Sequence, residues 1–429
     1  MTTLPRGGTA PERPRSVWSR ELRWARWLDP IVRHPLAVIG AATIAAVLCG
    51  LVLHPRCLAL ASGLATVMAL GVAWPWISLR GLRGMLSFAP ARGREGEPIA
   101  ARLEFHNRAP WGAWGLTIRF GDESVGGSAP TGVAHVGGWR RVEVDWMFVP
   151  GCRGEHPVGG ARMVTGFPFG LRQSSRALGV ERPVLVWPRT FSVGPIPIEA
   201  GGDASEGTTL RDRPGDAGDL LGVRTYRRGD PLRRVHWGQT ARHGELIVCE
   251  CQAAAAPRVQ VVLDLDPASH VGSGADGSLE WAIRVAASLL DDWIGQGADA
   301  ELVVGDRSIA AKGGTVASRR AAVLDAVARL DPTGAPPLSD VLDGPACRRF
   351  ARGLRVVVCT DRARVGPSGR PGEPAARFVV LASTAFDEGG TTGGTIAPSW
   401  PIRPWIAIDD PRRVPEQVRG RWKEAAHVR

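Results

Sequence analysis

The chain has 429 residues and a formal net charge of +11, from 53 Lys and Arg residues against 42 Asp and Glu residues. This length allows two or three domains with ample hydrophobic core. A basic protein suits an anionic membrane surface or a nucleic acid. The apolar segments described next favour the membrane, and we expect no nucleic-acid partner. The seven cysteines are scattered without CxxC pairs, which argues against a paired-cysteine metal site and fits a reducing compartment.

Residues 1–34 are predicted to be a cytoplasmic leader. Residues 1–16 are rich in Pro, Gly and Arg, a composition typical of disorder. From Val17 to Val32, aromatic and basic side chains recur at helical spacing, with Trp24 and Leu28 on one side. Such a helix tends to lie at the lipid headgroups, although an ordinary surface helix is the alternative.

Two apolar runs within residues 35–80, Leu36–Leu53 and Leu58–Leu79, contain no Asp, Glu, Lys or Arg. Each can cross a hydrocarbon layer of about 30 Å at about 1.5 Å per residue. Four residues separate them, so they predict a transmembrane helical hairpin in the inner (cytoplasmic) membrane. Seven arginines precede the first run, and only Arg56 lies between the two. The positive-inside rule therefore places both ends of the chain in the cytoplasm.

Residues 85–190 alternate apolar and polar side chains with a period of two, as in Ile99–Phe105 and Val142–Phe148. This pattern, interrupted by Gly, Pro and Asn turns, predicts a small antiparallel β-sandwich. Its tryptophans, Trp111, Trp114 and Trp139, are interpreted as core or turn packing. Residues 191–221 are rich in Gly, Pro and Asp and are predicted to be a linker.

Residues 222–252 read GVRTYRRGDPLRRVHWGQTARHGELIVCECQ. Pro231 suits the first position of a helix, and Asp230 before it is interpreted as the N-cap. The predicted helix runs from Leu232 to Arg242 and is closed by Gly244. Arg233 and Trp237 are four residues apart, so they would share one face of that helix. The segment predicts a basic surface lined by aromatic side chains.

The order R-x-Y-x-x-G-D-x-x-R-x-x-x-W-x-x-x-A-R resembles the signature of the bacterial domain-of-unknown-function family 58 (DUF58). The residues that carry it are Arg224, Tyr226, Gly229, Asp230, Arg233, Trp237, Ala241 and Arg242. A match at this many points in fixed order is far more specific than a lone short motif. The resemblance implies a membrane-anchored protein with a von Willebrand factor A-like domain. It also implies partnership with a MoxR-type AAA+ ATPase and with other von Willebrand A proteins.

Further segments also resemble this family. Arg153-Gly154 matches its RG segment, and Phe167–Leu171 (FPFGL) matches its DPFGL segment with Phe167 in place of the usual Asp. Residues 184–189 (VLVWPR) resemble the segment that closes the β module.

From Arg258 onward, predicted strands alternate with predicted helices, which indicates a mainly parallel, Rossmann-like sheet. The strands are Val259–Leu265, Ala300–Val304, Leu354–Thr360 and Arg377–Ala382, and the helices are Leu279–Gln296 and Ser318–Leu330. With the motif segment they form the predicted α/β domain, residues 222–410, followed by a C-terminal tail, residues 411–429. The chain is therefore expected to be multidomain.

Asp264 and Asp361 follow two of these strands, where open parallel sheets bind ligands. The arrangement resembles the D-x-S-x-S metal site of the von Willebrand A fold. Asp266 stands at the first Ser position and Ala268 at the second, so one hydroxyl ligand is missing. Mg²⁺ is the cation that Asp264, Asp266 and Asp361 would hold, because hard cations prefer oxygen ligands. The alternative is that these carboxylates cap loops and helices, with no cofactor.

The sequence has no G-x-S-x-G, H-E-x-x-H or P-loop motif, so the common hydrolase, zinc-protease and nucleotide-binding signatures are absent. The favoured hypothesis is a non-enzymatic adaptor that is held at the lipid bilayer and binds protein partners through the motif. Its arginines either bind an acidic or phosphorylated group or form internal ion pairs. The alternatives are a divalent-metal-dependent enzyme at Asp264, Asp266 and Asp361, and binding of an anionic polymer.

Overall fold

The computed structural model describes residues 35–121, 131–197, 208–228, 230–310, 313–366, 376–387 and 394–427. The predicted headgroup helix at residues 17–32 lies outside these ranges, as does Gly229 of the motif. The described chain forms a helical hairpin, a two-sheet β region and an α/β domain, in that order.

The hairpin consists of α1 (Pro35–Val52) and α2 (Cys57–Arg80). Both helices are long and apolar enough to cross a membrane, and most of their surface is exposed. The helices approach closely near the turn, where a Cβ on Gly50 would lie 2.6 Å from Leu58 Cδ2. The predicted pair of apolar helices is therefore present within one residue of the expected boundaries.

The two-sheet β region follows α2 directly. Its strands are β1 (Leu82–Phe88), β2 (Arg92–Arg94), β3 (Ile99–Asn107), β4 (Ala113–Phe120), β5 (Thr131–Val136), β6 (Arg141–Phe148), β7 (Gly154–His156), β8 (Ala161–Thr165), β9 (Ser174–Arg182) and β10 (Val184–Trp187). A seven-stranded sheet has the order β5-β4-β8-β9-β1-β3-β6, and a three-stranded sheet has the order β2-β10-β7. One hydrophobic core contains buried residues from both sheets.

The expectation of an antiparallel β-sandwich is wrong for two of the strand pairs. β1 pairs in parallel with β9, and β10 pairs in parallel with β2. Long stretches of chain separate the partners in both pairs, so no tight hairpin constrains them to run in opposite directions. The other pairings in the region are antiparallel.

The α/β domain is built on a mainly parallel sheet. Its strands are β11 (Thr208–Thr225), β12 (Ile247–Leu263), β13 (Asp299–Val304), β14 (Arg307–Ala310), β15 (Leu354–Thr360), β16 (Ala376–Leu381) and β17 (Ile406–Ile408). Its helices are α3 (Trp237–His243), α4 (Ser278–Gly295), α5 (Val316–Ala328), α6 (Leu338–Leu342), α7 (Pro345–Arg349) and α8 (Val414–His427). The sheet order is β14-β13-β12-β15-β16-β17, with β11 paired to β12. Separate hydrophobic clusters pack on its two faces, as expected of a parallel sheet.

The predicted linker, residues 191–221, is not a free connection. Its start is held by α4, because the amides of Val193 and Gly194 donate to Asp292 Oδ2 at 2.8 and 3.0 Å. Residues 208–221 belong to β11, which pairs antiparallel with β12. Gly and Pro content predicted a loop, but strand pairing and helix contacts engage the described parts of this segment, and residues 198–207 lie outside the described ranges.

Residues 411–429 are predicted to be a tail, but residues 414–427 form the helix α8, and residues 428–429 lie outside the described ranges. α8 packs back onto the domain, and Val414, Val418 and Trp422 on it are buried. The Trp422 ring lies 5.5 Å from the ring of Trp293, and its Nε1 donates to the Pro195 carbonyl at 2.9 Å. The apolar residues of α8 recur every four positions, which is the spacing of one helical face. That face completes the core of the domain.

Buried and charged contacts join the β region to the α/β domain. Glu95 and Arg284 form a bidentate ion pair in which each side chain is only 7% exposed. Arg92 forms a second bidentate pair with Asp325, at 2.9 and 2.7 Å, and Trp187 Nε1 donates to the same carboxylate at 2.8 Å. These contacts fix the position of one domain on the other.

Candidate functional site

The motif forms a compact unit at the outer end of the β11–β12 ribbon. Thr225 at the end of β11 lies opposite Ile247 at the start of β12. Between them the chain forms a 3₁₀ turn, Leu232–Arg234, and then α3. Val235 pairs with Val248 through an isolated antiparallel bridge, and both side chains are buried. The start of β12 is therefore held from both sides.

Asp230 is not the helix cap that the sequence predicted. It accepts two hydrogen bonds from the Arg224 guanidinium, at 2.7 and 2.9 Å, and a third from the Arg227 amide at 2.7 Å. The hydrogen bonds from Arg224 are the main reason why the pKa of Asp230 falls from 3.8 to about 2. A forked guanidinium fits a carboxylate better than a single amide does, so the ion pair replaces the cap. This is the internal ion pair that the sequence left as an alternative for Arg224.

The predicted helix from Leu232 to Arg242 is broken at Val235. Val235 adopts an extended conformation in order to pair with Val248, so α3 begins only at Trp237. His236 caps α3, because its Nδ1 accepts a hydrogen bond from the Gln239 amide at 3.2 Å. Gly244 ends α3 with φ of +74°, as predicted. Arg233 and Trp237 therefore lie on different elements, and the expectation of one shared helical face is wrong.

Several large side chains of the motif segment are exposed, and we call four of them the exposed motif residues. They are Leu232, Arg233, Trp237 and Arg242. Trp237 is 68% exposed and Leu232 is 62% exposed. Tyr226 is half-buried, and its amide donates to the Leu246 carbonyl at 2.8 Å.

Two further hydrogen bonds hold the backbone of the motif together. The His236 amide donates to the Ile247 carbonyl at 2.7 Å, and the Ile247 amide donates to Thr240 Oγ1 at 3.0 Å. Sequence reasoning missed these two roles. The available signal for Thr240 was its hydroxyl group on a predicted helix that is followed directly by a predicted strand. The motif thus separates into inner groups that maintain its shape and exposed groups that are available to a partner.

The second candidate site lies where β12 and β15 end. These strands are parallel neighbours, and the Asp264 amide donates to the Val358 carbonyl at 3.0 Å. Asp361 follows β15, and both of its oxygens accept backbone hydrogen bonds, from Ser383 at 2.9 Å and from Ala397 at 2.8 Å. The structure therefore places Asp264 and Asp361 at the same sheet edge, as predicted, with the Asp361 carboxylate already engaged.

Asp264 is fully buried, and only one of its two carboxylate oxygens has a hydrogen-bond partner among the described residues. Its Oδ1 accepts a hydrogen bond from the Asp266 amide at 3.1 Å, whereas Oδ2 is buried without a hydrogen-bond partner among the described residues. Burial is the main reason why the pKa of Asp264 rises from 3.8 to about 6, and the Asp266 amide and Ser269 hydroxyl oppose that rise. A carboxyl group in this environment keeps its proton to a higher pH than an exposed carboxyl group does.

Asp266 and its neighbours complete the loop after β12. Asp266 Oδ1 accepts a hydrogen bond from the Ala268 amide at 3.0 Å and caps a short 3₁₀ turn. His270, which sequence reasoning missed, contacts the Asp264 carbonyl through Nε2 and the Ser278 hydroxyl through Nδ1, each at 3.1 Å. Burial lowers the pKa of His270. Its position directly after a strand-end acidic loop was the signal that could have indicated it.

The arrangement favours loop capping for two of the three predicted metal ligands. Asp266 and Asp361 each use carboxylate oxygens to accept backbone amides, and only Asp264 keeps an oxygen without a hydrogen-bond partner. Within the part of the chain that the structure describes, no group of three or more His, Cys, Asp and Glu side chains is placed to share an ion.

The two candidate sites lie at opposite ends of β12. Its 17 residues run from Ile247 beside the motif to Leu263 just before Asp264. At about 3.3 Å per residue, this strand separates them by up to about 55 Å. A single active site therefore cannot combine the motif with the strand-end carboxylates.

Residues 222–362 match the family model described as "Protein of unknown function DUF58", so this segment is a DUF58 domain. No curated protein matches the chain. Similar solved structures include an exo-β-N-acetylglucosaminidase from Vibrio harveyi, with 13% identity over 53% of this chain and 47% of that one, and a TM-score of 0.18. An alkylpurine DNA glycosylase from Pseudomonas fluorescens has 13% identity over 34% of this chain and 48% of that one, with a TM-score of 0.15. The chain thus spans about half the length of these structures, and neither similarity bears on its fold or activity.

Proposed function

We propose that this protein is a membrane-anchored adaptor that recruits a protein partner through the exposed motif residues. In this proposal α1 and α2 cross the inner membrane, both ends of the chain are cytoplasmic, and the two-sheet region is a β-sandwich. The α/β domain is von Willebrand A-like and presents the motif. The partner that the DUF58 resemblance implies is a MoxR-type AAA+ ATPase, with other von Willebrand A proteins as further partners.

The observation that carries this proposal is the exposure of Trp237 at 68%, on a motif that the internal bonds of Arg224, Asp230 and Thr240 hold in shape. An exposed tryptophan beside arginines is the composition of an interface hot spot, because Trp and Arg contribute most binding energy at protein interfaces. Arg233 and Arg242 would pair with acidic groups of the partner. The internal Arg224–Asp230 pair keeps the unit in shape for binding.

The rigid attachment of the α/β domain supports the same proposal. The Glu95–Arg284 pair and the Arg92–Asp325 pair hold this domain on the β region, which itself follows α2. An adaptor built in this way presents the motif at a defined distance from the bilayer. A partner that acts on membrane-associated clients would be held in the same position.

Affinity purification from solubilised membranes, followed by mass spectrometry, tests the proposal. An AAA+ ATPase should co-purify with the wild-type chain and be lost with Arg233→Ala/Trp237→Ala. The matched control is Met147→Ala/Arg182→Ala, which removes one exposed apolar and one exposed basic side chain from the β region. The adaptor function is refuted if no ATPase is recovered, or if both double variants retain it equally.

A divalent-metal-dependent enzyme is the second candidate, and the unpartnered Asp264 Oδ2 is the observation that favours it. Asp264 would be the first ligand, and Asp266 and Asp361 would have to release backbone amides in order to join it. Calorimetric titration with Mg²⁺ and Mn²⁺ tests this candidate, with Asp264→Asn as the control. If the wild-type chain gives no binding heat with either ion, the metal-dependent enzyme is ruled out.

A further inference from the structure

One end of the β region adjoins the last turn of α2, and we call it the helix-proximal end. β1 begins at Leu82, immediately after α2, and pairs with β3 so that Leu82 lies opposite Asn107. β4, β5, β8 and β9 pair in registers that bring residues 107–113, 136–141 and 166–173 to this same end. Three connecting segments therefore surround the end of α2.

Hydrogen bonds fix the helix-proximal end to α2. The Arg176 guanidinium donates to the carbonyls of Leu79 and Arg80, at 2.7 and 2.6 Å. These carbonyls belong to the last turn of the helix, where the regular i+4 amide donors are missing. Trp111 Nε1 donates to the Ile77 carbonyl at 3.2 Å. These contacts hold the β region against the side of α2, in addition to the covalent connection between α2 and β1.

The segment Phe167–Leu171 extends further along the helix. A Cβ on Gly71 would lie 2.6 Å from Leu171 Cδ1, so the leucine side chain packs directly on the helix backbone there. Gly71 precedes Arg80 by nine residues, which is about 14 Å along the helix axis. It lies inside the run of residues that is expected to cross the hydrocarbon layer. Any bilayer that surrounds α2 must therefore also meet this segment.

The helix-proximal end carries a cluster of exposed aromatic rings. Trp111, Trp114, Trp139, Phe167 and Phe169 are between 37% and 70% exposed. The Trp114 ring stacks on the His135 ring at 3.8 Å and on the Phe167 ring at 5.9 Å. Such a cluster is unfavourable in water, but it is typical of protein surfaces at the boundary between headgroups and acyl chains. Of the two expectations for Trp111, Trp114 and Trp139, core packing is therefore wrong, whereas Trp139 does lie in a turn.

Positive charge surrounds the same end. Arg108, Arg140 and Arg172 are exposed on the three connecting segments. On α2, the Arg80 guanidinium lies 3.6 Å from the centre of the Trp76 ring, which is itself 52% exposed. Arginines that flank exposed aromatic rings match anionic lipid headgroups above an apolar layer. A soluble protein partner would not be placed alongside the membrane-spanning part of α2.

We propose that the helix-proximal end is seated in the headgroup layer of the bilayer, and that Phe167–Leu171 enters the acyl-chain region beside α2. The occupant of this surface is lipid. The proposal rests on the membrane anchoring in the proposed function and adds a second, monotopic contact to it. The α/β domain sits on the other end of the β region, so this contact would orient the motif relative to the membrane.

Photo-crosslinking of the full chain in lipid nanodiscs tests this seating. The photoreactive residue p-benzoylphenylalanine replaces Phe169, Leu48 or Met147 in three separate proteins, and lipid adducts are measured by mass spectrometry. Leu48 is 57% exposed on α1 and reports on the anchor. Met147 is 56% exposed near the far end of β6, about 20 Å from Arg141 at about 3.3 Å per residue.

We expect lipid adducts at positions 169 and 48 and none at position 147. Adducts at position 48 with none at 169 would overturn the seating and leave the anchor intact. An absence of adducts at all three positions would overturn the anchor and the seating with it. Equal adducts at positions 169 and 147 would also overturn the seating, because contact with lipid would not then be confined to the helix-proximal end.

Discussion

Neutralising Asp264 should stabilise the protein at neutral pH and leave its stability nearly unchanged in acid. The side chain is fully buried at the end of β12, and its Oδ2 has no hydrogen-bond partner among the described residues. Burial raises its pKa from 3.8 to about 6. Asp264→Asn keeps the shape of the side chain and removes its titration. The comparison therefore isolates the cost of a buried negative charge.

The magnitude and sign follow from the difference in proton affinity. A rise of about 2 pKa units corresponds to about 3 kcal/mol, at about 1.4 kcal/mol per unit. The folded protein binds the Asp264 proton more tightly than the unfolded chain does, so protonation favours folding. This stabilisation is fully present below pH 3.8, and it is lost as the pH rises through about 6. At neutral pH the ionised wild-type carboxylate therefore lowers the free energy of unfolding.

The assay is denaturant unfolding of the full chain in detergent with EDTA, followed by tryptophan fluorescence from about pH 4 to about pH 8. The stability of Asp264→Asn relative to wild type should increase across this range, and most of the change of about 3 kcal/mol should appear. Glu181→Gln, which neutralises an exposed carboxylate, is the matched control. A difference between Asp264→Asn and wild type that does not vary with pH would refute the reasoning. Repeating the series with Mg²⁺ in place of EDTA would reverse the sign if the ion binds ionised Asp264.

Other variants test the contacts that join the parts of the molecule. Arg284→Met leaves the Glu95 carboxylate buried without its ion-pair partner and should lower the free energy of unfolding by about 3 to 5 kcal/mol in the same assay. Trp422→Ala should lower the free energy of unfolding by about 3 to 5 kcal/mol, because it leaves a cavity in the core where a fully buried ring was. Gly71→Val should displace Leu171 from α2 and so increase amide hydrogen exchange in residues 166–173 in nanodiscs.

Each of these variants has a control that separates its cause from general damage. Glu95→Leu/Arg284→Met should recover most of the lost stability, since it removes both buried charges. Trp422→Phe should lower the free energy of unfolding much less than Trp422→Ala does, because an aromatic ring still fills most of the site. Gly63→Val adds the same side chain to α2 at a position with no neighbouring atom within 4 Å, and it should leave exchange in residues 166–173 unchanged. Equal effects of the two glycine variants would show that helix propensity, and not the Leu171 contact, is responsible.

Local periodicity in the sequence determined the elements themselves. The continuous apolar runs predicted α1 and α2, and the strand at Leu354–Thr360 has the predicted boundaries. The helix predicted at Leu279–Gln296 is α4, shifted by one residue at each end. The residues of the DUF58 signature were likewise readable in order. These features depend on neighbouring residues in the chain, so a single sequence is enough to indicate them.

Only the tertiary structure decided how these elements meet. Val235 leaves a helical pattern to pair with Val248, and Asp230 accepts Arg224 in place of a helix amide. Residues 414–427 form a core helix because the core leaves an apolar surface for Trp422 to fill. In each case a contact outside the local helical pattern outweighs a local preference worth about 1 kcal/mol. The sequence displays the local preference, but the partner that overrides it is visible only in the folded chain.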